Sequence, residues 1–357
     1  MRRSVLTCLL LVSFCIAVAI MPDGALALDD KAKPAAKALI SPKAGVKVPG
    51  IQIPFENVKP ELEIAIPTPG NITIGQSVFV PSASKDEVVW IEAKPSDAKT
   101  TASAASETAG PITGVSKPCS GTIVAFDTLW VPNCGTQTVT RHDIKTNKLI
   151  ATLPIGAADV SMGLAATGDS VWMFTDRKSM LSRIDPIENR VVGELRLPSS
   201  CNSVTFGETA LWVSCPAESK VLRIDPSANL VVKRIEVAPG ARAVAFGDGS
   251  VWVLCDKEGT IERIDPKTNK VIKTLELLVT NAGGNIAYGD GFLWVTQTGF
   301  PLTRIDTTAE KERVAQQFWG EGGGAIAVAS GAIWLTNSSK GIVQKLDPKR
   351  VLATLSH

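Results

Sequence analysis

Histidine is nearly missing from this chain. Only His142 and His357 occur among 357 residues, so a zinc site or an acid–base centre built on imidazole has almost nothing to draw on. No Cys-x-x-Cys-His run is present for covalent haem attachment, and no Gly-x-Ser-x-Gly for a hydrolase nucleophile. Excess charge is also lacking: 37 Lys and Arg face 35 Asp and Glu, for a net charge of +2. That balance gives no support to nucleic-acid binding. Beyond the first residues no apolar run is long enough to span a bilayer.

What is present begins with a secretory pattern. Arg2-Arg3 precede a largely apolar stretch from Val5 to Met21, and Ala25-Leu26-Ala27 supplies small residues for cleavage. Residues 1–27 are therefore expected to be a signal peptide, placing the mature chain in the periplasm or outside the cell. Its removal changes the formal charge only from +2 to +1. Residues 28–50, rich in Ala, Lys and Pro, read as a flexible tether. Residues 51–357 form the folded part.

That part is repetitive. Trp130, Trp172, Trp212, Trp252, Trp294 and Trp334 recur at intervals of 40 or 42 residues. With them recur Arg183-Ile184-Asp185, Arg223-Ile224-Asp225, Arg263-Ile264-Asp265 and Arg304-Ile305-Asp306, with Arg141-His142-Asp143 and Lys345-Leu346-Asp347 as variants. A degraded seventh copy, "ITIGQSVFVPSASKDEVVWIEAKP", carries Phe79 at the tryptophan position. The copy from Gly247 to Leu277, with the run before it, contains four apolar runs: Ala243–Phe246, Val251–Leu254, Thr260–Ile264 and Val271–Leu277. None reaches helix length, and Gly-, Asp- and Pro-bearing turns separate them. Four short strands per 40-residue unit is the signature of a propeller blade. The expected fold is all-β, a seven-bladed β-propeller of four-stranded antiparallel blades. Residues repeated in every blade are expected to be structural: tryptophan buried between blades, Asp-Pro shaping a turn.

A ring of blades must close or expose strand edges. The segment from Ile51 to Pro67 resembles the end of a repeat, and the C-terminal copy stops abruptly at "RVLATLSH". The N-terminal segment is therefore expected to pair with the last blade, with Glu61–Ile66 either replacing or extending its final strand. The polar stretch from Asp97 to Pro118 reads as an extended loop.

Five cysteines lie beyond the signal segment. Hairpin register sets Cys119 opposite Cys134 and Cys201 opposite Cys215, which argues for two disulfides in an exported protein. Cys255 aligns with Cys215 but faces Ala241, and so is expected to be a free thiol. A Cys215–Cys255 link, joining adjacent blades and freeing Cys201, is the alternative. The spacings do not suit a zinc site.

The turns joining first to second and third to fourth strands are short and uniform. The other connections vary: "CPAESK" against "TQTGFP", "APGAR" against "LVTNAGGN". In a propeller these share one face, where specificity is expected. Asn71, Met162, Asn202, Arg242 and Asn285 enter the innermost strands there and are the ligand-binding candidates. Gly322-Gly323-Gly324 reads as a tight crossing between blades, not a phosphate cradle, because no helix follows.

The elements "GDGSVWV", "GDGFLWV" and "RIDPKTNKV" resemble the YVTN-type and streptogramin-lyase-like (virginiamycin B lyase) repeat propellers, from Asn71 onward. The resemblance implies the propeller fold, while the same repeat serves many functions. Lyases of that family use histidines and a glutamate at the propeller mouth with magnesium. Here the position three after each tryptophan holds Asn133, Thr175, Cys215, Cys255, Gln297 and Asn337, so no family catalytic residue carries across. No catalytic residue, metal ligand or cofactor is assigned. The expectation is an exported binding or interaction module, its partner an unidentified protein or small molecule. The alternatives are a diverged lyase-like enzyme that uses carboxylates and Arg242, and a scaffold subunit of a periplasmic redox or envelope complex.

Overall fold

The computed structural model describes residues 49–92, 108–156, 163–176, 180–197, 201–308 and 312–354. The expected signal peptide, nearly all of the expected tether, Met162 and the first half of the polar stretch from Asp97 lie outside them. Among the described residues the chain forms seven sheets arranged as blades. Their innermost strands touch in sequence around the ring, and the last returns to the first.

Blade 5 shows how the repeat works. Its strands are Ala241–Gly247, Ser250–Cys255, Thr260–Asp265 and Lys270–Glu276, each antiparallel to the next. The second strand is buried throughout because a neighbouring blade covers each face. Trp252 is fully buried, and its indole donates to the carbonyl of Gly247 at 3.1 Å, the end of its own innermost strand. Trp130, Trp212 and Trp294 make the same bond to Ala125, Gly207 and Gly289. Each large ring is thus buried without losing its polar partner.

The Arg-Ile-Asp-Pro segment joins one blade to the next. Asp265 Oδ1 accepts the Lys267 N–H at 2.9 Å and Asp265 Oδ2 accepts the Thr268 hydroxyl at 2.7 Å. Asn269 takes a left-handed backbone, φ 56°, which asparagine tolerates. This turn offers the Pro266 carbonyl outward, and Arg223 of blade 4 donates to it at 2.8 Å. Arg141 reaches Pro186 and Arg183 reaches Pro226 in the same way. Opposite each isoleucine of blades 3 to 6 the fourth strand carries a bulge, which in blades 3 to 5 interrupts an otherwise open edge.

The ring closes through the N-terminal segment, but on two blades. Leu62–Ala65 pairs antiparallel with Ile342–Leu346 as the fourth strand of blade 7, so it replaces the final strand. Ile51–Pro54 instead lies parallel to Arg313–Trp319 as a fifth strand on blade 6. The C-terminal chain leaves the sheet because Asp347-Pro348 begins a helix, Pro348–Ala353. Asp347 accepts the Lys349 N–H at 2.8 Å as N-cap and proline takes the first position. The polar stretch expected to be a loop also needs correction. Thr108–Ile112 forms the fourth strand of blade 1, paired with Val88–Ile91. An outer strand needs little apolar character, since only part of it is covered.

The tight crossing at Gly322-Gly323-Gly324 is present. A Cβ on Gly323, at φ 112°, would lie 2.2 Å from the Gln297 carbonyl oxygen. Only glycine fits that approach.

Candidate functional site

The two faces of the ring differ in chemistry. One carries the uniform turns, whose Asp-Pro carbonyls are occupied by arginines of the preceding blades. The other carries the variable connections between second and third strands and between blades. The four described candidates all stand on this second face, at the start of innermost strands, and each has a local task. The Asn71 N–H donates to Ser120 across the junction of blades 1 and 2 at 2.8 Å. The Asn202 carbonyl accepts the Gly163 N–H at 2.8 Å, linking blades 3 and 4, and its Oδ1 lies 3.4 Å from the Ser214 hydroxyl. Asn285 Oδ1 accepts the Ile286 N–H at 2.8 Å.

Arg242 is held more firmly than a free rim arginine. Its Nε donates to the Gly284 carbonyl at 3.0 Å, and its Nη1 lies 3.7 Å from Asp256 Oδ2. The Arg242 guanidinium also packs beside Gly283, where a Cβ would lie in ordinary contact at 3.7 Å from Cζ. Arg242 therefore ties the turn of blade 5 to the crossing into blade 6 while its side chain remains 47% accessible. A preorganised, half-exposed guanidinium of this kind is suited to a carboxylate or carbonyl of a partner.

Both expected disulfides are present, Cys119–Cys134 and Cys201–Cys215, with Cα–Cα distances of 5.2 and 4.1 Å. Each pins the connection entering an innermost strand to the end of the second strand. Cys255 is a buried free thiol. Burial, and then the neighbouring Glu262 carboxylate, push its pKa above the ordinary thiol value, so it is a poor nucleophile. Burial likewise raises the pKa of Glu262, opposed by the Ala238 N–H that donates to Oε2 at 3.1 Å.

His142 lies in the third strand of blade 2 and is fully buried, its Nε2 3.0 Å from the Thr140 hydroxyl. Burial lowers its pKa. Among the described residues no three His, Cys, Asp or Glu side chains gather into a metal-binding group.

A further feature was not visible in the sequence. On the same face, between blades 1 and 2, the structure holds a cleft of about 330 Å3 lined by Thr68, Pro81, Ala83, Lys117, Ser120 and Cys134, among others. Its walls come from segments about fifty residues apart, so no local pattern announces it.

No family model matches the chain, and no curated protein matches it. Among solved structures it is similar to a streptogramin B lyase, with 17% identity and a TM-score of 0.62 over 80% of this chain and 94% of that one. In fold the chain is a seven-bladed β-propeller similar to that lyase. A catalytically inactive virginiamycin B lyase from Staphylococcus aureus with quinupristin has 17% identity and a TM-score of 0.61, over 80% of this chain and 98% of that one. A chain of a mitotic checkpoint complex reaches 0.65 at 12% identity, over 85% and 98%. BamB from Moraxella catarrhalis reaches 0.55 at 11%, over 78% and 84%. At these identities the likeness concerns the propeller alone, and function rests on the residues of the site.

Proposed function

We propose that this propeller is an exported binding module that recognises its partner through the face of variable connections. The observation that carries this reading is the division of labour between faces. The uniform turns are engaged in holding neighbouring blades together, whereas the opposite face combines varied loops, two disulfide-pinned crossings and the half-exposed Arg242. Rigid presentation of variable loops lowers the entropy lost on binding. The two disulfides support an oxidising compartment, in keeping with the secretory pattern of residues 1–27.

The test compares Arg242→Ala with Trp252→Ala by thermal unfolding and by capture of partners from a periplasmic extract, each captured protein being identified. Arg242→Ala is expected to weaken capture while costing only about 1 kcal/mol for its hydrogen bond. Trp252→Ala should cost about 3–5 kcal/mol as a core cavity. Unchanged capture by Arg242→Ala would remove Arg242 from the recognition surface. Streptogramin ring opening by the wild type, abolished by a chelator, would replace the binding reading with an enzymatic one.

A further inference from the structure

The cleft between blades 1 and 2 has a definite chemistry. Its floor is closed where the two blades meet, since a Cβ on Gly70 would lie 2.7 Å from Pro81 and 2.9 Å from the Ser120 carbonyl oxygen. One wall is the Cys119–Cys134 disulfide, and most of the remainder is Pro81, Ala83 and Pro118. The surface is thus largely apolar and built on backbone that cannot readily shift.

Two of the lining residues hold unfavourable backbones. Thr68 has φ 47° and Lys117 φ 41°. A β-branched residue in that region is an outlier, and strained non-glycine residues concentrate where a site must be shaped. Each is fixed by a neighbouring turn: the Thr68 hydroxyl oxygen accepts the Ser84 N–H at 3.1 Å, and the Lys117 N–H donates to Asp86 Oδ1 at 2.5 Å.

The polar groups left over are both donors. Lys117 is the one charged residue among those lining the cleft. Its ammonium makes no ion pair with any described residue. The hydroxyl of half-buried Ser120 likewise has no hydrogen-bond partner among the described residues, although its carbonyl is engaged by Asn71. A cation and a hydroxyl beside an apolar recess match a carboxylate carried on a compact apolar group. The volume lies at the lower end of the roughly 300–1,000 Å3 found for small-ligand sites.

We propose that this cleft binds a monocarboxylate with a short apolar body, its carboxylate paired with Lys117 and Ser120 and its apolar part against Pro81, Ala83 and the disulfide. The inference rests on the reading of the variable face as the recognition surface and adds the chemistry of one subsite on it. The carboxylate could belong to a free acid or to the C-terminus of a polypeptide, and the two share this recognition.

The experiment is an NMR titration of the whole protein with four probes: benzoate, benzamide, a tripeptide ending in valine with a free carboxylate, and its C-terminal amide. Benzoate, the peptide acid or both should shift the amides of Gly70, Lys117 and Ser120. The matching amide should bind at least about tenfold more weakly. Lys117→Met should weaken carboxylate binding by a similar factor, Lys117→Arg should retain most of it, and Ala83→Trp should abolish it by filling the recess. Binding of benzoate alone identifies a free acid, and binding of the peptide acid alone identifies a chain terminus. Equal binding of acids and amides, an unaffected Lys117→Met variant, or no binding by either acid would overturn the proposal. Partner capture by the wild-type protein is read separately. Failure of the cleft with capture intact sinks only this inference, and loss of the capture result with carboxylate binding intact sinks only the module reading.

Discussion

Arg223 lies 5.3 Å from the ring centroid of Trp212 in its own blade and donates to the carbonyl of Pro266 in the next. One side chain thus secures two blades, and the tryptophan and the Arg-Ile-Asp-Pro element are parts of a single device. Blades 2 and 3 repeat it through Arg141 over Trp130 and Arg183 over Trp172. Arg223→Ala is expected to cost about 1–3 kcal/mol through the lost charged hydrogen bond and ring contact. Arg223→Lys should recover only part of it, because an ammonium lacks the planar fork. Chemical denaturation of the three proteins measures this directly.

The cysteine pattern yields a second expectation. Ala241 and Cys255 are register partners in blade 5, at the positions equivalent to the disulfide-bonded Cys201 and Cys215 of blade 4. Ala241→Cys should therefore form a third disulfide under oxidising conditions. Thiol titration of the denatured protein, prepared without residues 1–27, should fall from one free group to none. The closed loop matches the 14-residue separation of Cys201–Cys215, and such a loop stabilises by roughly 3 kcal/mol in the chain-entropy model.

Glu262 gives a stability dependence on pH. Burial raises its folded pKa, so the folded state holds this proton more tightly than the unfolded chain does. The stability linked to it is fully present below the unfolded value, near 4.3. It is lost as the pH rises through the folded value. Glu262→Gln keeps an acceptor for the Ala238 N–H and carries no charge. It should raise the melting temperature at pH 7–8 and make no difference near pH 4. An equal gain at both pH values would count against this cause.

His142 has the opposite sign. Burial lowers its folded pKa, so the stability linked to it is fully present above the unfolded value near 6.5. It is lost as the pH falls from there through the folded value. The equivalent positions in blades 3 to 6 hold Ile184, Ile224, Ile264 and Ile305, all fully buried. His142→Ile should restore that packing, and its gain in melting temperature should grow between pH 7 and pH 5.

Much of the ring was legible because each blade repeats one physical solution. Trp252 needs a buried slot and a carbonyl, Asp265-Pro266 needs a turn, and these needs recur every 40 or 42 residues. The disulfides were legible for the same reason, since hairpin register follows from turn position. The destination of Ile51–Pro54 was not, because a four-residue strand carries no mark of its partner. Thr108–Ile112 was hidden by its composition, as an outer strand asks little of its residues. Arg242 was found as a variable-face position, but its clamp to Asp256 and Gly284 depends on two loops meeting in space. Lys117, Thr68 and Ser120 were missed altogether. They become neighbours only when blades 1 and 2 are stacked, and the backbone strain at Thr68 and Lys117 leaves no trace in residue type.

The strand exchange that closes blade 7 also bears on how the molecule is made. Glu63 and Gln344, whose side chains bond at 2.9 Å, are 281 residues apart. A ribosome delivers Leu62–Ala65 long before the hairpin that will receive it, so this strand waits unpaired until Ile342–Leu346 has emerged. Until then Leu62–Ala65 lacks its partner, and Ile342–Leu346 lacks its outer neighbour. Such long-range pairing slows folding and leaves unpaired strand edges open to other chains. Closure of the ring therefore waits for blade 7, when segments 281 residues apart in sequence meet.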